Sequence, residues 1–334
     1  MKLYSWRGET TNFGDELNHL LWPALLPGLL DDDDAEIVLG IGSVLDRRHA
    51  PGRLKIVLGA GYGGYQPLPA LDPSWVIHWV RGPRTAAMLG LDPALGLGDP
   101  CMLWPYAASA RAPRCDAAHG DAPHGDAPHG DAPLGGEVGF MPHFESLARG
   151  CWNEVAQAAG VRLIDPRADP LDIIRAISGC RLLISEAMHG AILADTLRVP
   201  WIALEPLAAI HRAKWQDWAG ALGLEIHFQA MPASSLYEWA ATRRGADRRP
   251  ARMAIRYFAA PLQNAGLQQR VERAATMLRR LAGLPGQLSA PTALSRCQER
   301  MLICLDRVRR HPWGTGGKNR FQKNQKNLHP APLA

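Results

Sequence analysis

Residues 181–206 constrain the fold more than any other stretch of the chain. A short apolar run, residues 182–184, stops at a polar turn. A helical stretch starts near Met188, and after Pro200 residues 201–204 are apolar again. This order of strand, turn, helix and strand is the unit from which parallel sheets are built. His189 falls in the helix's first turn. A helix start presents unpaired N–H groups and partial positive charge, so it attracts anions. An imidazole there can donate a hydrogen bond or a proton to the same anion.

The same alternation runs along most of the chain. Strands are expected at residues 3–6, 37–39, 55–58 and 75–80, and later at 138–141 and 161–164. Helices are expected over about 15–22, from Pro83, over 152–159, over 170–178, and from His211 to near Leu222. Proline at Pro83 suits a first helical turn. The fold class is therefore α/β, with parallel sheets covered by helices on both faces. Ligands in such sheets bind at the carboxyl ends of the strands. The Gly-rich turns after residues 39 and 58, Arg81, His143 and His189 all fall at such ends.

At 334 residues about two domains are expected. Hydrophobic content of 47% with 21% charged residues excludes a disordered chain. No apolar run is long enough to cross a membrane, and the first residues lack a signal-peptide core. The six cysteines show no metal or disulfide spacing and read as reduced thiols of a cytoplasmic protein. The net charge of +5 is unevenly placed. From residue 290 on there are nine Lys/Arg and two acids, which leaves 28 basic and 30 acidic residues elsewhere. A basic tail can meet an anionic membrane surface or nucleic acid, or simply be solvated. Nucleic acid binding is not expected. Residues 119–133 repeat His-Gly-Asp-Ala-Pro three times, a composition that cannot bury a core. It reads as a linker, and no metal site is expected from it. The expected organisation is a first domain over 1–115, a linker over 116–136, a second domain over 137–285, and a basic, flexible tail over 286–334.

Several residues carry potential chemistry. Asn12 and Asp15 close the first strand-to-helix loop, where they either cap the helix or place a carboxylate as a base toward a hydroxyl. Gly40, Gly42 and Ser43, and Gly59, Gly61 and Gly63, follow strands, where glycine lets backbone approach a ligand or merely makes a tight turn. Arg81, Arg212 and Lys214 lie just past expected strands and suit phosphate or carboxylate. His211 opens the same helix as Arg212 and Lys214. The acidic run 31–34 precedes a strand and so sits at the wrong edge.

Taken together, Asn12-x-Gly14-Asp15, Gly40-Ile-Gly-Ser43, Val80-Arg-Gly-Pro83, Gly98-Asp-Pro100, Pro142-His143-Phe144, Ile184-Ser-x-x-Met-His189-Gly190 and Arg212-x-Lys214 resemble the polysaccharide pyruvyltransferase family, the ketal-forming enzymes of bacterial exopolysaccharide synthesis. The resemblance implies two Rossmann-like domains facing a cleft, as in glycosyltransferase-B enzymes. It implies phosphoenolpyruvate as donor substrate, no further cofactor, and a sugar diol on a lipid-linked oligosaccharide as acceptor. On this reading His189 and Asp15 are catalytic. Arg81, Ser185, Gly190, Arg212 and Lys214 bind the donor's phosphate and carboxylate. Asn12, Gly14, Ser43, His143 and Glu186 are candidates for the cleft and acceptor. One departure is Ala187, where some family members carry an arginine; Arg212 or Lys214 then takes over, or phosphate is held less tightly. The resemblance also implies action at the cytoplasmic face of the inner membrane, with the basic tail as a peripheral contact. Two other functions fit the same architecture: a nucleotide-sugar glycosyltransferase, with Glu205 as the ribose-binding carboxylate, and a non-catalytic glycan-binding member.

Overall fold

The structure, a computed structural model, describes residues 1–6, 8, 10–111, 136–206, 209–243 and 266–311. The chain divides into two compact units. The first takes residues 1–130, 216–225 and 289–334, and the second takes 131–215 and 226–288. The repeat and residues 312–334 lie outside the described residues, as do 244–265.

The first unit is built on a four-stranded parallel sheet of β1 (Lys2–Tyr4), β2 (Glu36–Leu39), β3 (Leu54–Leu58) and β4 (Trp75–Trp79), in the order β1-β2-β3-β4. All five residues of β3 are buried. Four of the five are apolar, and the fifth, Lys55, donates to the Ser74 hydroxyl at 2.7 Å; a strand buried along its whole length belongs to a parallel sheet covered on both faces. Helix α1 (Phe13–Leu25) starts where Asn12 caps it, its side chain accepting from the Asp15 N–H at 3.2 Å. Phe13, Leu17, Leu21, Trp22 and Leu25 form its buried stripe. The expected strand–helix alternation fails twice here. β2 and β3 are joined by loop 40–53, and β3 and β4 by loop 59–74. Both loops are rich in glycine and proline, which break helices. After β4 come α2 (Pro83–Met88), two 3₁₀ turns, and α3 (Trp104–Arg111).

The second unit holds β5 (Glu137–Met141), β6 (Arg162–Leu163), β7 (Cys180–Ser185) and β8 (Trp201–Ala203), all parallel, in the order β6-β5-β7-β8. Helices α4 (Phe144–Arg149), α5 (Trp152–Ala159), α6 (Pro170–Ser178) and α7 (Met188–Thr196) are interleaved with the strands. They are followed by α8 (Ala209–Ala221), α9 (Leu236–Arg243) and α10 (Leu267–Ala282). On one face Val138, Phe140, Leu182, Ile184 and Ile202 pack with Trp152 and Val155 of α5 and Ala274, Ala275 and Leu278 of α10. The alternate residues Met141, Leu183 and Ser185 face α7, so helices do lie on both sides of this sheet. Gly190 allows that approach, since a Cβ there would stand 2.5 Å from the Met141 sulfur. The boundary between the units falls inside α8.

One expectation is overturned in the final segment. Residues 286–334 read as a flexible basic tail, yet Pro291–Arg310 form helix α11 of the first unit. Leu294, Cys297, Met301, Cys304, Leu305 and Val308 are buried along it. Gln298 donates to the Met102 carbonyl at 2.7 Å, and Arg309 binds the Leu25 carbonyl through two nitrogens. The arginines stand on the outer side of a helix whose inner side completes the core. Among the described residues no helix is long and apolar enough to cross a membrane.

Candidate active site

In the second sheet the chain winds outward in both directions from the β5–β7 pair, with β6 beside β5 and β8 beside β7. Crossovers that leave in opposite directions open a crevice at the carboxyl ends of the two central strands, where open α/β sheets bind ligands. Met141 pairs with Ser185 in register. His143 therefore lies two residues beyond one strand partner, and His189 four beyond the other. The first sheet, in plain sequential order, has no such reversal.

His143 caps α4 and its Nδ1 accepts from the Glu145 N–H at 3.4 Å. Its ring packs on Phe144 at 4.5 Å and on His211 of α8 at 5.2 Å. Burial, reinforced by His211, Lys214 and Arg149, holds His143 well below the ordinary imidazole value. His211 is pushed down to about 3 by burial and then by Lys214 and Arg149. Both rings are therefore neutral near pH 7, in a place where buried positive charge is disfavoured. An arriving anion would reverse that penalty.

His189 is half-buried in the first turn of α7. The cap residue there is Ala187, which supplies no side-chain hydrogen bond to the helix start. Ser185 and Gly190, expected to hold phosphate, are turned to other tasks. Ser185 is fully buried and its hydroxyl donates to the Ala187 carbonyl at 2.8 Å. Gly190 is buried, and its N–H donates to the Ala187 carbonyl at 3.0 Å. Glu186, expected to face an acceptor, is 7% exposed and grips the β5–α4 loop instead, accepting from the His143 N–H and the Ser146 hydroxyl, both at 2.9 Å. Arg212 does not join the histidines. It is paired with Glu205 and lies over the Phe228 ring at 5.1 Å. That pairing engages both the expected anion ligand and the carboxylate of the glycosyltransferase reading.

Arg81 changes role most clearly. It is 1% exposed, and its Nε donates to Asp217 at 3.2 Å. Its other nitrogens donate to the Ser43 hydroxyl at 2.9 Å and the Tyr62 carbonyl at 3.1 Å. Asp217 also accepts from the Thr85 N–H and hydroxyl. At Gly82 a Cβ would stand 1.8 Å from the Asp217 carbonyl oxygen, so only glycine permits this docking. The Arg81-Gly82-Pro83 element thus anchors residues 216–221, the part of α8 that belongs to the first unit, with Arg81 neutralised by a buried partner. Ser43 is oriented by Arg81. Asn12 and Gly14 belong to the start of α1, and the Asp15 carboxylate accepts from the Asn12 side-chain amide. Capping accounts for that loop's geometry.

The sequence reading missed Arg149 and Asp217. Arg149 is a buried arginine paired with Glu145 one turn earlier on α4; that spacing was the available signal. Asp217 lies 136 residues from Arg81, and no local pattern links them.

The profile of the family described as polysaccharide pyruvyl transferase matches residues 12–206, from the α1 cap through β8. The chain is also 33% identical over 333 residues to the succinoglycan biosynthesis protein ExoV of Rhizobium meliloti (strain 1021), covering 93% of this chain and 99% of that protein.

Proposed function

The chain belongs to the polysaccharide pyruvyl transferase family, a family of enzymes, and we propose that it moves the pyruvyl group of phosphoenolpyruvate onto two hydroxyls of one sugar in an exopolysaccharide repeat unit. The product is a cyclic pyruvate ketal with release of inorganic phosphate. The observation that carries this reading is the reversal of strand order between β5 and β7, with His189 in the first turn of α7 and His143, His211, Lys214 and Arg149 in the same unit. Phosphoenolpyruvate brings a phosphate and a carboxylate, and a helix start with cations suits both.

In the reaction the donor's methylene carbon takes a proton, leaving an oxocarbenium-like centre at the adjacent carbon. A sugar hydroxyl attacks it, the bond to phosphate breaks, and the second hydroxyl closes the ring. Of the two hydroxyl protons, one balances the proton taken up by carbon and the other leaves with phosphate. His189 serves as phosphate ligand and acid, and Lys214 as the cation for the donor. Asp15 of the first unit remains the candidate base for a hydroxyl. We further read the two sheets as the Rossmann-like domains of a glycosyltransferase-B-like fold. The acceptor is read as a lipid-linked oligosaccharide at the inner membrane's cytoplasmic face, with exposed Arg296, Arg307 and Arg310 of α11 and the basic residues beyond it meeting anionic lipid.

The test is incubation of the full chain with phosphoenolpyruvate and an oligosaccharide acceptor, following phosphate by ³¹P NMR and the acceptor by mass spectrometry. Phosphate release matched by ketal formation, lost by at least about a hundredfold in His189→Ala, is the expected result. Normal turnover in that variant would remove His189 from the chemistry. Nucleotide release from a sugar nucleotide, without consumption of phosphoenolpyruvate, would replace the reading with glycosyl transfer.

A further inference from the structure

His143 caps the helix that follows β5 and His189 lies in the first turn of the helix that follows β7, and one side chain ties the two segments together. Glu186 directly follows β7, and its N–H extends the ladder to the Met141 carbonyl at 2.9 Å. Its carboxylate crosses to the neighbouring loop. One oxygen accepts the backbone N–H of His143 and the other the hydroxyl of Ser146, each at 2.9 Å. Ser146 is 1% exposed and Glu186 7%, so neither bond is readily exchanged for water. The carboxylate thus holds both ends of the first turn of α4 from a strand whose continuation, three residues on, is His189. The His143 ring, held between Phe144 and His211, inherits its place from this clamp.

We infer that Glu186 is a positioning residue for the transfer reaction: it sets the His143 imidazole against the His189 helix start through two buried hydrogen bonds and touches no substrate. This rests on the donor site read above, but its geometry can be tested without substrate.

Glutamine separates positioning from charge. Its carbonyl can accept the His143 N–H while its amide donates to the Ser146 hydroxyl, so Glu186→Gln keeps the clamp and removes the charge. Alanine removes both bonds. The experiment compares the two variants in the full chain by kcat/KM for phosphoenolpyruvate and, with substrate absent, by the His143 ring signals in ¹H–¹³C NMR of histidine-labelled protein. Glu186→Ala is expected to displace the His143 signals and lower kcat/KM by about a hundredfold, the scale of a misplaced catalytic geometry. Glu186→Gln is expected to keep wild-type ring signals and most of the activity. If Glu186→Gln is as inactive as Glu186→Ala while its His143 signals stay in place, the charge acts on substrate and the inference is wrong. It is equally wrong if Glu186→Ala leaves the signals and kcat/KM unchanged. Should Glu186→Ala fail to fold, Ser146→Ala cuts one arm of the clamp; a several-fold loss in kcat/KM with shifted His143 signals supports the inference, and wild-type values in both overturn it. A wild-type protein that consumes no phosphoenolpyruvate would count against the donor reading alone, since the ring signals still report the clamp.

Discussion

Each unit has its own four-stranded parallel sheet, and the two treat their charges in opposite ways. In the first unit strand order is sequential, and the buried arginine Arg81 sits against a buried carboxylate. In the second unit strand order reverses, and two imidazoles are kept neutral beside cations. The first arrangement stabilises a scaffold. The second leaves an electrostatic deficit that an anionic ligand can relieve. Sheet topology thus marks the place, and unfavourable local electrostatics mark the use.

The strongest way to break this contrast is Arg81→Ala. Removing one partner of a buried pair costs about 3–5 kcal/mol, because Asp217 is left charged and enclosed. Urea unfolding should show that loss; a change under about 1 kcal/mol would mean that Arg81 is not the structural residue described above. Next comes Glu238, whose carboxyl burial raises from 4.5 to about 7. The unfolded chain ionises first, so stability is intact below pH 4.5 and is lost as pH rises toward 7. By linkage the loss is about 3 kcal/mol. The non-titrating Glu238→Gln should therefore gain in melting temperature relative to wild type between pH 5 and pH 8, and a constant difference would refute it.

His211 acts in the opposite direction. Its folded value of about 3 lies below the unfolded 6.5, so stability is full above pH 6.5 and falls as the pH drops. At pH 5 the cost is about 2 kcal/mol. Hydrogen exchange should show the second unit loosening at pH 5, with less loosening in His211→Asn or in the presence of inorganic phosphate. Equal protection of wild type and variant at both pH values would break the proposed contrast. The smallest effect is expected of Arg212→Ala. The pair with Glu205 is about half exposed, and such pairs contribute about 0–1 kcal/mol. Donor affinity should change little compared with Lys214→Ala, and a larger loss from Arg212 would return it to the anion site.

Much of this was legible in the sequence. The apolar runs between glycines gave strands within a residue or two of those observed, and α6 and the start of α7 fell where expected, because period and breakers act locally. The family was legible too, from the order of its motifs. What those motifs do was less legible. Arg81-Gly82-Pro83 looks like an anion site until Asp217 is brought to it from far along the chain. Ser185 and Gly190 look like phosphate ligands until α7 is packed on its sheet. The tail was misread for a different reason: counting charge on α11 concealed the spacing of Leu294, Cys297, Met301, Leu305 and Val308, which is helical and apolar.

That last helix has a consequence for the order in which the protein comes into being. Arg309 binds the carbonyl of Leu25, 284 residues earlier. A ribosome making this chain emits the first sheet early and the helix that completes its core only after the whole second unit. The second unit, which reaches residue 288, has all its parts before α11 begins at Pro291. Domains tend to fold as units during synthesis, so here the later-numbered unit finishes first. The nascent amino-terminal half waits with its apolar surface uncovered until the stretch that looked like a loose end arrives to close it.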